Sequence, residues 1–155
     1  MTNTEVKELF DQAFSDVTKK LVNLNLQKGI SGQTYEEAMQ SGYREKIDFN
    51  GSLNSTMVCW FSDELYQYVI TTMHGGTPPD AEERSLYLNE YINIISGFAI
   101  SRINNLTGTK SRLSVPSFYE RKMPVEIGFY KNNQSYALYY DTEYGKLQVF
   151  LFIQV

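Results

Sequence analysis

Apolar residues recur at three- and four-residue steps at the start of the chain, where Val6, Leu9, Phe10, Ala13, Phe14, Val17, Leu21 and Leu24 fall on one helical stripe. The spacing predicts an amphipathic opening helix. Residues 29–40 are polar, contain glycine and hold no sustained period, which predicts a loop with one short helical turn over 35–39. Around Asn50-Gly51 the period changes to two. Ile47 and Phe49 precede the dipeptide, and Leu53, Ser55, Met57, Cys59 and Phe61 follow it, predicting a hairpin closed by a two-residue type I′ turn. Ser62 then stands at an N-cap position before Asp63 and Glu64, and Leu65, Tyr66, Val69, Ile70 and Met73 supply the buried face of a second helix. Gly75-Gly76 and Pro78-Pro79 end it.

Asp80 and Glu83 have capping-box spacing and predict a third helix running through Leu106 to Gly108. Leu88, Ile92, Ile95, Ala99, Ile103 and Leu106 point one way on it. At about 100° per residue, Leu86, Glu90, Asn93, Gly97 and Asn104 emerge on the opposite side. The remaining third reads as strands over residues 113–119, 125–130, 136–140 and 147–155, a four-strand antiparallel meander. The element order is therefore α-β-β-α-α-β-β-β-β, with three main helices on an antiparallel or mixed sheet. This is an α+β fold, and with no linker or internal repeat it reads as one domain over residues 1–155.

Composition narrows the partners. The formal net charge is −4 and no basic run offsets it locally, so nucleic acid and anionic membrane surfaces are not expected partners. A single cysteine, Cys59, forms no internal disulfide, which fits a cytoplasmic protein. Glu5, Lys7, Glu8, Asp11 and Asp16 interrupt the region a secretory signal would fill, and no run approaches the ~20 apolar residues of a membrane span.

Catalytic clusters are scarce. His74, the one histidine, lies at a helix end without a second metal ligand at useful spacing, and no metal site is expected. Cys59 alternates with apolar residues as a buried structural thiol does. Gly29 and Gly32 lack the surroundings of a phosphate cradle, and Tyr136, Tyr139, Tyr140 and Tyr144 read as cross-strand packing. The feature above this background is the polar face of the third helix. Glu90 and Asn93, three residues apart, emerge side by side, and Gly97 follows one turn on, although glycine within a helix costs about 1 kcal/mol against alanine. A glycine there leaves room for something to approach.

Pro116 follows Asn93 after 22 intervening residues, within Leu113-Ser114-Val115-Pro116-Ser117. Glu90, Asn93 and Pro116 together resemble the Glu-x-x-Asn-x22-Pro signature of the CheC/CheX/FliY family of chemotaxis phosphatases. The stretch from Asn89 to Gly97 resembles the family's catalytic helix, and Gly51 to Phe61 with Ser62-Asp63-Glu64-Leu65 resembles its hairpin and following helix. The likeness runs over nearly the whole chain. The first two helices contain no Glu-x-x-Asn, so the chain is similar to CheX-type members, which carry one signature, rather than CheC-type members, which carry two. The family pattern has Asp or Ser four residues before the glutamate; here that position is Leu86.

The resemblance implies a CheC-like fold and a phosphatase acting on the phospho-aspartate of a CheY-like response regulator. Asn93 would orient the attacking water and Glu90 would dock on the regulator's lysine, with Leu86, Gly97 and Pro116 forming the binding surface. No cofactor is expected in this chain, the Mg²⁺ being the regulator's own, and a homodimer formed by sheet continuation is expected. The alternative is a non-catalytic module of the same fold that binds a response regulator or a flagellar partner, and Leu86 favours it.

Overall fold

The computed structural model describes residues 1–120 and 134–154. Helix α1 (Asn3–Val22) is capped reciprocally: the Thr2 hydroxyl accepts the Glu5 N–H at 3.2 Å and the Glu5 carboxylate accepts the Thr2 N–H at 3.0 Å. Its expected stripe is buried at Val6, Phe10, Ala13, Phe14, Val17 and Leu24, with Leu9 and Leu21 partly buried, and Val22 joins it. The short turn expected at 35–39 is α2 (Tyr35–Ala38).

Seven strands among the described residues form one sheet. They are β1 (Gln27–Lys28), β2 (Tyr43–Asn50), β3 (Ser55–Phe61), β4 (Arg112–Leu113), β5 (Ser117–Tyr119), β6 (Gln134–Asp141) and β7 (Lys146–Ile153). Their order is β1-β6-β7-β3-β2-β4, with β5 also beside β2, and every pairing is antiparallel. The expected meander is corrected here. β7 is central, hydrogen-bonded to β3 and β6, which accounts for its uncharged sequence apolar on both faces. Residues 112–119 instead return to the far side of β2, and the strand expected over 125–130 lies outside the described residues.

Alternate residues of β2, β3, β6 and β7 face three helices, α1, α3 (Asp63–Met73) and α4 (Arg84–Thr107), which bury the main core. The opposite face holds a smaller cluster of Val58, Trp60, Phe150 and Phe152 covered by α2, whose Tyr35 ring meets Phe150 and Phe152 edge-on. Arg44 and Trp60 fasten this cover by donating to the Met39 carbonyl at 2.8 Å and the Ser41 carbonyl at 2.9 Å.

Three local expectations fail. The hairpin exists, but Phe49 pairs with Ser55, so its connection is longer than a two-residue type I′ turn. Gly51, at φ 125°, lies where a Cβ would strike the Lys110 and Ser111 backbone. The Asp80 capping box does not form: Glu83 N–H donates to the Asp80 carbonyl at 2.9 Å and α4 starts at Arg84 without a side-chain cap. Ser62 does precede α3, yet its hydroxyl accepts the Lys146 N–H at 2.9 Å instead of capping the helix.

Candidate functional site

Helix α4 presents Leu88, Tyr91, Ile92, Ile95, Ser96, Ala99, Ile100 and Ile103 inward. A buried hydroxyl contact between Thr18 and Tyr91 at 2.6 Å fixes it to α1. With that face committed, Leu86, Glu90, Asn93 and Gly97 form an outward stripe about 16 Å long at 1.5 Å per residue. Glu90 is exposed and Asn93 half-buried, and neither side chain makes a hydrogen bond or ion pair among the described residues. Leu86 is 62% exposed on the same stripe. A Cβ at Gly97 would meet no atom of the described residues beyond its own helix turn, so no contact among them requires the glycine. Leu106, expected to point inward, is 68% exposed and borders an open groove with Met1 and Leu9.

The opposite end of α4 explains the placement of Pro116. Asn104 clasps Ser111, its Nδ2 donating to the Ser111 carbonyl at 3.1 Å and its Oδ1 accepting the Ser111 N–H at 2.8 Å. From that anchor the chain runs back along α4. Ser111 to Pro116 spans five residues, roughly 16 Å when extended at about 3.3 Å each, and β4 and β5 both pack against α4. Between Leu113, opposite Phe49, and Ser117, opposite Lys46, the returning chain has one residue more than β2. That extra residue makes a bulge at Ser114 to Pro116, a place where proline's missing N–H breaks no ladder. The Ser114 hydroxyl accepts the Asp48 N–H at 3.0 Å, Pro116 is buried, and Val115 is turned out at 83% exposure. The structure therefore gathers Leu86, Glu90, Asn93 and Gly97 on the outward face of α4, while Pro116 is buried on the returning segment beside β2.

Beneath this surface lies a group that the spacing gave no reason to notice. Glu45 on β2 faces the helices, opposite Cys59 and Phe118, with both carboxyl oxygens buried and unpartnered. Burial pushes its carboxyl from 4.5 to about 9. Burial also pushes the Cys59 thiol up, as a structural cysteine requires. Among the described residues no three His, Cys, Asp or Glu side chains gather as a metal-binding group, and no helix is long and apolar enough to cross a membrane.

An antiparallel sheet layered by three helices is the fold that this chain shares with solved CheX and CheC-like structures. The family described as chemotaxis phosphatase CheX matches residues 46–141, well over half of the chain, and this chain belongs to that family. CheX from Desulfovibrio desulfuricans is 17% identical, with 97% of this chain and 99% of that one covered at a TM-score of 0.80. A CheC-like superfamily protein from Shewanella sp. PV-4 is 17% identical, with 99% and 100% covered at 0.83. CheX of Borrelia burgdorferi, solved in a CheX-CheY-BeF3-Mg²⁺ complex, is 19% identical, with 97% and 98% covered at 0.71. No curated protein matches the sequence significantly.

Proposed function

We propose that this chain is a phosphatase of a phosphorylated CheY-like response regulator, acting with Asn93 and docking through Glu90. The observation that carries the reading is the unpartnered Glu90 and Asn93 pair on a rigid helix, displayed where Gly97 leaves room. Hydrolysis adds water to phosphorus and breaks the bond to the regulator's aspartate, releasing phosphate and a free carboxylate. An acyl phosphate is already reactive, so the gain comes from holding water in line and stabilising charge. The Asn93 amide accepts and donates without titrating, which suits it to orienting that water. The Glu90 carboxylate meets the regulator's lysine, Leu86 and Pro116 shape the docking surface, and the regulator holds the Mg²⁺. Such a partner places the reaction in the cytoplasm. In support, the Borrelia relative was solved as a complex with CheY.

The deciding experiment is decay of a radiolabelled phospho-regulator with the unmodified chain and with Asn93→Ala. The variant is expected to lose about 10²–10³ in rate while regulator affinity stays within a few-fold. Near-unmodified acceleration by the variant would overturn the water-orienting role. The exposed Leu86 at the family's Asp or Ser position favours a second reading, a binding module without catalysis, for which the unmodified chain would bind the regulator and leave its decay unchanged.

We also propose a homodimer formed by sheet continuation. In support, the described part of β1 pairs only with Tyr140 and Asp141, leaving most of β6 without a described strand on that side. Light scattering is expected to give twice 17.9 kDa; a monomer at micromolar concentration would remove this proposal.

A further inference from the structure

We propose that Asn89 is a positioning residue for Asn93: its side-chain oxygen accepts a hydrogen bond from the Asn93 amide nitrogen in the docked complex and turns the Asn93 oxygen toward the attacking water. This rests on the phosphatase reading. Asn89 lies one turn before Asn93, about 40° around the helix from it, with Cβ atoms roughly 5–6 Å apart. Its Oδ1 is buried and has no hydrogen-bond partner, although Asn89 as a residue is only half-buried. A buried acceptor without a donor is a cost the fold carries for no structural return. Asn93 supplies the missing donor after a side-chain rotation that leaves the helix unchanged, and catalytic hydrogen bonds commonly tighten only on docking.

The chemistry needs such a partner. The two ends of an asparagine amide exchange by a half-turn of one bond, and only the oxygen end accepts a water hydrogen. Without a fixed neighbour Asn93 would spend part of its time reversed, its N–H groups facing the water. An acceptor on its flank removes that state. Glu90 on the same helix face also offers carboxyl oxygens, but it is exposed and engaged with the regulator in this reading. The Ser96 hydroxyl is also buried and unpartnered, and lies about 60° around the helix from Asn93 against 40° for Asn89, so it serves as the comparison in the test.

The test measures turnover and half-saturating concentration of a phosphorylated CheY-like regulator from the same organism for the full chain, between about pH 4 and 8.5, a range that includes the ordinary aspartate titration. Asn89→Leu is expected to lower turnover about tenfold, part of the larger loss for Asn93→Ala, with half-saturation changed less than about twofold. Asn89→Asp keeps an acceptor while ionised. When protonated it can donate to the Asn93 oxygen and fix the amide backwards. Its turnover relative to the unmodified chain should therefore fall as pH is lowered, a step no purely structural role would produce. Ser96→Ala should match the unmodified chain. Unchanged turnover in Asn89→Leu, a flat relative profile in Asn89→Asp, or an equal loss in Ser96→Ala would each overturn the assignment. Should Asn89→Leu fail to fold by circular dichroism, the Asn89→Asp profile decides. If Asn93→Ala abolishes activity while Asn89→Leu does not, only this inference falls; if the unmodified chain leaves decay unchanged, the phosphatase reading falls first.

Discussion

Replacing Glu45 by glutamine should stabilise this protein at neutral pH, and by an amount that grows with pH. In the folded chain both carboxyl oxygens are buried without partners and burial holds the group protonated up to about 9, whereas the unfolded chain releases the proton near 4.5. The native state therefore binds more protons than the unfolded state between those values, and stability falls as pH rises through that window. At 1.36 kcal/mol per unit, the deficit is below about 1 kcal/mol at pH 5, about 3 kcal/mol at pH 7 and levels off above pH 9. Glutamine has the same shape and does not titrate, so the difference between variant and parent isolates this group from every other ionisation. Urea denaturation at pH 5, 7 and 8, followed by fluorescence of the single buried Trp60, supplies both curves. Parallel stability profiles, or a glutamine variant weaker than the parent at pH 8, would refute the reasoning and show that Glu45 ionises within the fold.

Glu90→Ala should act mainly through affinity: half-saturating regulator concentration rises and the defect shrinks as added salt screens the lost charge contact, while a salt-independent loss confined to turnover would refute the docking role. Leu86→Asp adds a carboxylate one turn before Glu90 and should raise turnover in the decay assay; an equal or lower rate in a folded variant would show that this chain does not depend on the family's acidic position.

The helices were legible because their signal is local. Leu65, Tyr66, Val69 and Ile70 on α3, and Leu88 to Ile103 on α4, announce a buried stripe wherever the chain folds, and the outward positions of Leu86, Glu90, Asn93 and Gly97 follow from it. What escaped is set by distant contacts. Gly51 reads as a turn residue, yet its surroundings are the backbone of Lys110 and Ser111. Ser62 has a hydroxyl suited to capping, but Lys146 on another strand takes it. The pairing of residues 112–119 with β2, and the bulge that turns Val115 out, depend on register, for which no residue carries a local mark. Glu45 was hidden in the same way, since a charged residue in an alternating strand reads as solvent-facing until the strand acquires neighbours.

The Asn104 and Ser111 clasp turns a sequence interval into a ruler. With the returning chain pinned to α4 at one end and paired to β2 on both sides of the bulge, a residue added or removed between Ser111 and Pro116 has to change the bulge or shift the proline by up to about 3.3 Å, more than two helical residues' rise. If Pro116 serves the proposed docking, length variation in that segment is felt there, whereas slack inserted before the clasp, at Thr109 or Lys110, can loop out without moving Pro116. For anyone grafting this surface onto another scaffold, the portable unit is the helix from Leu86 to Asn104 together with its clasp and the five residues beyond it. A helix bearing Glu90 and Asn93 alone would leave the proline's position to chance.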